Sequence, residues 1–375
     1  MKLTFIHDHV FLKFKGNYYS TGKLTYKQLS GYFKYANEIE VIARFKNVDY
    51  DPGDALLSTG MNITVHGVDG PLSTRGVIYR SKLIALITSI IAKTDFVISR
   101  LPSELGLLGD RVAKTLHKPI LHEMVASPFD CLWYRGDFFA KIYAPILSIR
   151  IKQALLKASY VIYVTKNYLQ HSYPTNGRSI GISDARVDAT TNNKKPINPK
   201  KIRLGVIGNP AVKLKGIESL SKLMEKVTDV NIELQIVGGN LTSPLELKMN
   251  ENKKIKQVGF ISSKLEMASW FKQIDIYIQP SFTEGLPRSL VEAMSFGIPC
   301  IGSNVGGIPE IVHSNYLFKP GNVEELISLI YKLVSSENEY SILMEHSINK
   351  AKEFSLNLDN EREQFMNEFL QVELK

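Results

Sequence analysis

Cysteine is nearly absent: Cys131 and Cys300 are the only two in 375 residues. They stand far apart and without metal-ligand spacing, which excludes a disulfide framework and fits a reducing compartment. Long apolar runs are missing too. The longest, Leu83 to Ile91, is interrupted by Thr88 and Ser89 and is too short to span a bilayer. The opening Met1-Lys2-Leu3-Thr4-Phe5-Ile6-His7-Asp8 turns polar too soon for a signal peptide. The chain contains no repeat of solenoid period and no low-complexity segment. It has no zinc-finger spacing, basic recognition helix or aromatic ribonucleoprotein motif, so nucleic acid is not an expected partner. What is present is ordinary for a soluble globular protein: 44% hydrophobic and 22% charged residues. The length calls for two domains. The formal charge of +9 fits a solvated basic surface. It equally suits attraction to an anionic membrane face or to a diphosphate substrate.

Strand and helix patterns alternate along the chain. Lys2–Ile6 reads as a short strand ending at His7-Asp8-His9, with a loop through Gly16 and Gly22 behind it. Ligands of open α/β sheets gather beyond strand ends, which brings His7, His9 and Gly22 to the cleft. The competing reading is that the histidines merely finish the strand and pack. Glu38–Phe45, Asn62–Val68, Asp95–Arg100, Ile120–Val125 and Tyr160–Thr165 follow as strands. Tyr26–Tyr35, Ile78–Ala92 and Ser103–Lys118 have helical periodicity. Asp49-Tyr50-Asp51 has the form of a metal-binding Asp-x-Asp triplet, but Pro52-Gly53 makes it a surface turn. Asp130 sits in a loop after a strand end and so within reach of a ligand. Phe138–Ala158, apolar over much of its surface and carrying Lys141, Arg150 and Lys152, suits either a core helix or a membrane-surface helix.

Composition changes at 188–201, a polar, basic, proline-containing stretch that reads as a linker between domains 1–187 and 202–355. Beyond it the alternation restarts with Ile202–Ile207, Gly216–Lys226 and Ile232–Val237. It closes with Cys300–Ser303, Ile308–Val312, Tyr316–Phe318 and the helix Val323–Val334. Residues 356–375 form a last amphipathic helix that can return to the first domain. The architecture expected is α/β: two Rossmann-like, doubly wound domains facing a cleft.

One stretch, Pro280 to Pro299, organises the second half. It reads as loop, then a helix with Pro287 in its first turn, ended by Gly297 and Pro299. Glu284 lies in the loop and Glu292 inside the helix, flanking a helix start whose free N–H groups suit an anion. Two further loops meet the same sheet edge. In Gly208 to Gly216, Lys215 sets a cation beside its own helix start. In Ser303 to Glu310, Gly306-Gly307 allows close backbone approach.

Glu284-x7-Glu292, with Gly285, Pro287, Ala293, Gly297 and Pro299, resembles the signature of the family-4 retaining glycosyltransferases of the GT-B fold. Lys215-Gly216 and Val305-Gly306-Gly307-Ile308-Pro309-Glu310 are similar to that family's flanking motifs. In the first half, Phe5–His9, Tyr163–Lys166 and Tyr173-Pro174 look like its bacterial surface-polysaccharide members. The resemblance implies roles. Glu292 would hold the donor's ribose and Glu284 the transferred sugar. Lys215 would hold the diphosphate, assisted by backbone at Gly285, Leu286, Pro287 and Arg288 and by the Gly306-Gly307 turn. Where the family often has an arginine, this chain has Asn209, with Lys213 as a stand-in. Where it often has a first-domain histidine, this chain has Ala126-Ser127, leaving Asp130 as that domain's catalytic candidate.

The expectation is therefore a cytoplasmic hexosyl- or N-acetylhexosaminyl-transferase, peripheral on the inner membrane face. It would use a UDP- or GDP-sugar and no metal or cofactor. Its lipid-linked oligosaccharide acceptor, held near His7, His9 and Gly22, would belong to capsule, O-antigen or exopolysaccharide synthesis. A nucleotide-sugar 2-epimerase of the same fold and a catalytically silent scaffold are the alternatives.

Overall fold

A computed structural model of the chain describes residues 1–22, 24–53, 55–187, 197–198, 201–228, 231–239, 245–354 and 357–374. Most of the 188–201 linker lies outside the described residues. Two sheets carry the fold.

The first sheet contains β1 (Lys2–Phe14), β2 (Asn17–Ser20), β3 (Glu38–Asn47), β4 (Leu56–Leu57), β5 (Ile63–Val68), β6 (Phe96–Leu101), β7 (Ile120–Met124), β8 (Tyr160–Tyr163) and β9 (Arg178–Gly181). Its parallel part runs β5-β3-β1-β6-β7-β8-β9, while β2 and β4 pair antiparallel at one end. The intervening helices are α1 (Tyr26–Leu29), α2 (Thr74–Ile78), α3 (Arg80–Ile91), α4 (Glu104–Thr115), α5 (Pro128–Trp133), α6 (Phe138–Leu156) and α7 (Tyr168–Ser172). α3, α4 and α6 cover one face through buried Leu83, Ile87, Leu105, Leu108, Leu147 and Ile151.

The second sheet runs β12-β13-β11-β10-β14-β15-β16. Its strands are β10 (Ile202–Ile207), β11 (Ile232–Val237), β12 (Leu245–Asn250), β13 (Lys253–Gly259), β14 (Ile276–Gln279), β15 (Cys300–Ser303) and β16 (Leu317–Phe318). Only β12 is antiparallel to its neighbour. The helices are α8 (Glu218–Lys226), α9 (Lys264–Phe271), α10 (Arg288–Ser295), α11 (Val323–Val334), α12 (Glu337–Lys352) and α13 (Asn357–Glu373). α8 packs against α11, and α10 against α12.

The last helix, α13, lies on the first sheet rather than the second. Phe369 meets Phe96 and Tyr160 edge-on, at 6.0 and 5.4 Å between ring centres. Arg178 Nε donates to Glu368 Oε1 at 2.9 Å. Arg362 reaches the buried carboxylate of Glu123, which also accepts from Arg100 NH1 at 3.0 Å and from the Tyr32 hydroxyl at 2.8 Å. Charges this deep are kept only by such mutual pairing.

Four local readings need correction. β1 does not stop at Ile6 but runs 13 residues to Phe14, and its register against β3 shifts between Ile6 and Val10. His7-Asp8-His9 therefore form a bulge inside a long strand, and the loop behind them is partly strand β2. Asp130 is not in a loop: Ser127 accepts from its N–H and Pro128 opens α5, so Asp130 sits in that helix's first turn. Pro287 is the residue before α10 rather than in its first turn. Ile308–Val312 is no strand; Ile308–Glu310 forms a 3-10 turn, where Pro309 has no N–H for a ladder.

Candidate functional site

β10 and β14 lie side by side, so the loops that follow them open at one edge of the second sheet. After β10, Asn209 Oδ1 accepts from Ala211 N–H at 2.9 Å and folds the loop back. Lys213–Lys215 then make a 3-10 turn into α8. After β14, the Glu284 loop descends beside it. The Lys215 ammonium donates to Glu284 Oε1 at 2.7 Å. Ser281 Oγ donates to the same oxygen at 2.9 Å, and Gln279 Nε2 at 3.3 Å. The carboxylate is thus fixed through one oxygen, and among the described residues nothing donates to Oε2. Charge-assisted bonds of this kind orient as well as hold.

The third loop closes on the second. Gly307 N–H donates to Gly285 O at 2.8 Å. Gly306 has φ +58°, and a Cβ there would lie 1.9 Å from the Glu284 carbonyl oxygen. A Cβ on Gly285 would lie 2.1 Å from the Val125 carbonyl oxygen at the end of β7, in the other domain. Glycine is required at both positions by approach of backbone to backbone.

α10 begins without a side-chain cap, and the N–H groups of Arg288 and Ser289 find no acceptor among the described residues. α8 also lacks a side-chain cap. Both are therefore open anion sites. Leu286 is buried beneath the α10 start. Arg288 and Glu292 are half-buried one turn apart, and their side chains make no hydrogen bond or ion pair among the described residues. Burial pulls the Arg288 guanidinium down to about 10, with Glu292 opposing. Burial raises the Glu292 carboxyl above its usual range, against the pull of Arg288 and Lys264.

The first domain supplies the opposite wall. Asp130 Oδ2 accepts from the Tyr168 hydroxyl at 2.8 Å. Next to it, burial pushes the Cys131 thiol up to about 11; Asp130 and Glu284 add to this and Lys215 opposes it, so α5 faces the Lys215–Glu284 pair. Tyr134 leans on Phe282 across the gap, 5.5 Å between ring centres. Two pockets open at this junction. One of about 580 Å³ is lined by Trp133, Tyr134, Lys141, Lys213 and Gly216. The other, about 510 Å³, is lined by Asp130, Tyr168, Asn304, Gly306 and Glu310.

His7, His9 and Gly22 line neither pocket. His7 Nδ1 lies 3.0 Å from Arg100 O, and His9 Nε2 lies 2.9 Å from Ser20 Oγ, which accepts from Gly22 N–H. Burial, with Arg100 and Arg44 nearby, lowers His7 to about 3; burial and the same arginines lower His9 to about 4. Both rings are neutral at pH 7. Asp8, between them, accepts from Glu104 N–H at 2.6 Å and Leu105 N–H at 3.2 Å, closing the start of α4.

Glu310 closes the Val305–Glu310 motif, and no local pattern in the chain marks it out for a role. Its carboxylate accepts from three backbone N–H groups of the other domain, Lys166, Asn167 and Tyr168, at 2.7, 3.0 and 2.8 Å. It holds the two walls together at the Gly306 loop. Ser281 and Gln279 were also missed; only the fold shows that they brace Glu284. Among the described residues no three His, Cys, Asp or Glu side chains cluster to hold a metal ion.

Comparison with known proteins agrees with this geometry. The model of the glycosyl transferases group 1 family matches residues 188–354. Protein CapJ of Staphylococcus aureus is 36% identical over 372 residues, covering 96% of this chain and 93% of CapJ. The chain belongs to the group 1 glycosyl transferases. A shorter match, 33% identical over 92 residues and 22% of each chain, is to the amylovoran biosynthesis glycosyltransferase AmsK of Erwinia amylovora. Among solved structures, Anabaena HepE in complex with UDP and glucose superposes with TM-score 0.66 at 14% identity, over 98% of this chain and 99% of HepE. The two-domain α/β architecture expected from the strand–helix alternation, and the GT-B fold that the resemblance implies, are thereby borne out, and this group 1 transferase is an enzyme that uses nucleotide sugars.

Proposed function

We propose that this glycosyltransferase belongs to the retaining family 4. In this reading it moves a hexosyl or N-acetylhexosaminyl group from UDP or GDP to a lipid-linked saccharide of a bacterial surface polysaccharide. The observation that carries the reading is the Lys215–Glu284 pair, with one bare carboxylate oxygen, set between the open starts of α8 and α10. AmsK, named for a polymer, supports the acceptor class, and HepE with UDP supports the donor class.

The diphosphate lies over the open N–H groups of α10, with Lys215 and Lys213 as cations and the Gly306-Gly307 turn beside it. Asn209 shapes the loop rather than touching phosphate. Glu284 Oε2 accepts from hydroxyls of the transferred sugar, and Glu292 from those of the ribose. The acceptor hydroxyl attacks the anomeric carbon on the face that the diphosphate leaves. The carbon–oxygen bond to phosphate breaks as the new one forms, and the acceptor proton passes to the departing phosphate oxygen. Lys215 stabilises the charge that develops there. Asp130, steadied by Tyr168, orients the acceptor, whose outer part extends toward His7, His9 and Gly22. No residue needs a metal or cofactor in this scheme.

A thermal-shift series with UDP-, GDP-, ADP- and dTDP-sugars finds the donor, since a bound ligand stabilises by mass action. Transfer of radiolabelled sugar then falls about 10²–10³-fold in Lys215→Ala and Glu284→Ala. Product formed without any acceptor would make the enzyme an epimerase, and no nucleotide binding at all would leave a scaffold.

A further inference from the structure

α6 is apolar on both sides. Its inner face buries Ala140, Ala144, Leu147, Ile151 and Leu155. Its outer face leaves Phe138 72%, Phe139 80%, Ile142 53%, Ile146 47% and Ile149 58% exposed. At spacings of three and four these side chains form one stripe along the helix. Single exposed apolar residues are ordinary, but a continuous stripe of five large ones is not.

The charges around the stripe say what covers it. The helix FFAKIYAPILSIRIKQALL contains no Asp or Glu, and carries Lys141, Arg150 and Lys152. Along its other side, a groove of about 500 Å³ between α4 and α6 is lined by Arg111, Lys114, Arg150 and Lys157. Arg150 is paired with Glu104 and Lys114 with Asp110, which leaves Arg111 and Lys157 without an ion pair among the described residues. Asp137, which caps the helix, is paired with Arg135, and Asp110 in the groove with Lys114, so the charge left unpaired beside the stripe is positive and complements an anionic lipid surface. It matches a second copy of the chain poorly, because a two-fold contact would set the same cations against each other. No helix among the described residues is long and apolar enough to cross a membrane, so contact would be from one side.

The stripe also begins where the cleft opens. Trp133 and Lys141, which line the 580 Å³ pocket, stand at its N-terminal end, with the ammonium 5.7 Å from the indole centre. The geometry points to α6 as the surface by which this protein docks on a bilayer with anionic headgroups, with the cleft mouth turned toward the lipid. Docking requires no sugar donor, so it stands or falls apart from the donor reading.

The test is co-sedimentation of the full chain with phosphatidylcholine vesicles, with and without phosphatidylglycerol. Binding is expected only to the anionic vesicles, and to weaken with added salt. The triple variant Phe139→Ser, Ile142→Ser, Ile146→Ser changes only exposed side chains. It should bind at least tenfold more weakly, with its melting temperature and nucleotide-sugar thermal shifts unchanged. Trp133 gives a second readout. It is 43% exposed while Trp270 is 4% exposed, so vesicles should blue-shift the emission of the parent and not that of Trp133→Phe. Equal sedimentation of parent and triple variant would overturn the proposal. So would a parent that ignores anionic vesicles but sediments as a dimer that the triple variant dissociates.

Discussion

The two walls of the cleft present their helix starts in opposite states. In the first domain side chains close most of them, α1 and α3 being the exceptions. Ser73 accepts from Gly76 N–H at α2, Ser127 from Asp130 N–H at α5 and Asp137 from Ala140 N–H at α6. At α4, Asp8 and Ser103 together take the first three N–H groups, and Glu310 closes α7 from across the gap. In the second domain α9, α11 and α12 are capped by Ser263, Asn322 and Ser336, but α8 and α10 are not. In the second domain the two uncapped starts both lie at the cleft. Charge follows the same division. Glu123 of the first domain is saturated by three donors, whereas among the described residues Glu284 keeps one bare oxygen and the Arg288 and Glu292 side chains make no hydrogen bond. Unmet polar groups cost stability, and a fold keeps them where a ligand will meet them. One wall is finished as protein; the other keeps the groups that the proposed donor would complete.

The largest effect tests the finished wall. Arg362→Ala leaves the buried Glu123 with one cation fewer and removes one of the ties that hold α13 to the first sheet. Breaking one side of a buried ion pair costs about 3–5 kcal/mol, read as a lower urea midpoint. A loss below about 1 kcal/mol would place that network with ordinary surface pairs. The next effect converts the unfinished wall into the other kind. Pro287→Asp sets a capping carboxylate on the N–H groups of α10, where a diphosphate is proposed to lie. The cap's gain of about 0.5–1 kcal/mol offsets part of the cost of a carboxylate at this buried position, while nucleotide-sugar affinity drops at least about tenfold, since the carboxylate both fills the amides and repels phosphate. Unchanged affinity would remove α10 from the donor site.

This division was only half visible beforehand. β10, β11, β15 and α11 run between the residues that periodicity gives them, because patterned apolar segments bounded by glycine, proline or asparagine leave little choice. The meeting of Lys215 with Glu284 also follows from loop order, since β10 and β14 are neighbours in the sheet. What failed to show was set by distant partners. β1 was cut short because His7-Asp8-His9 look like a polar strand end, and only α4 explains why an aspartate belongs inside that strand. β13, KKIKQVG, hides among lysines because its neighbour β12 is the edge strand and its side chains are only partly covered. Glu310 and the N–H groups that donate to it are 142 to 144 residues apart in the chain, and no local pattern links them.

Asp8→Ala is the mirror of the cap added at Pro287. It opens the start of α4 and costs about 1–2 kcal/mol, yet it leaves nucleotide-sugar affinity unchanged, because that helix start serves the fold. A loss of affinity equal to that of Pro287→Asp would erase the contrast between the walls.

The smallest effect lies in pH, and here one residue moves two quantities in opposite directions. Burial raises the Glu292 carboxyl from its usual 4.5, so in the free protein its ionised form is disfavoured. The contribution to stability is fully present below 4.5 and is lost as pH rises through the folded value. A bound ribose reverses the preference. Its hydroxyls donate to the ionised carboxylate, so binding lowers this pKa and releases a proton in the window just above 4.5. Donor affinity should therefore weaken about two- to fivefold as pH falls into that window, while the free protein gains from the same protonation. Glu292→Gln cannot titrate. Its donor affinity is lower throughout and flat across the window, and its free-state melting temperature no longer carries this residue's rise on acidification. If isothermal titration of parent and variant instead gives parallel pH profiles, Glu292 does not hold the ribose.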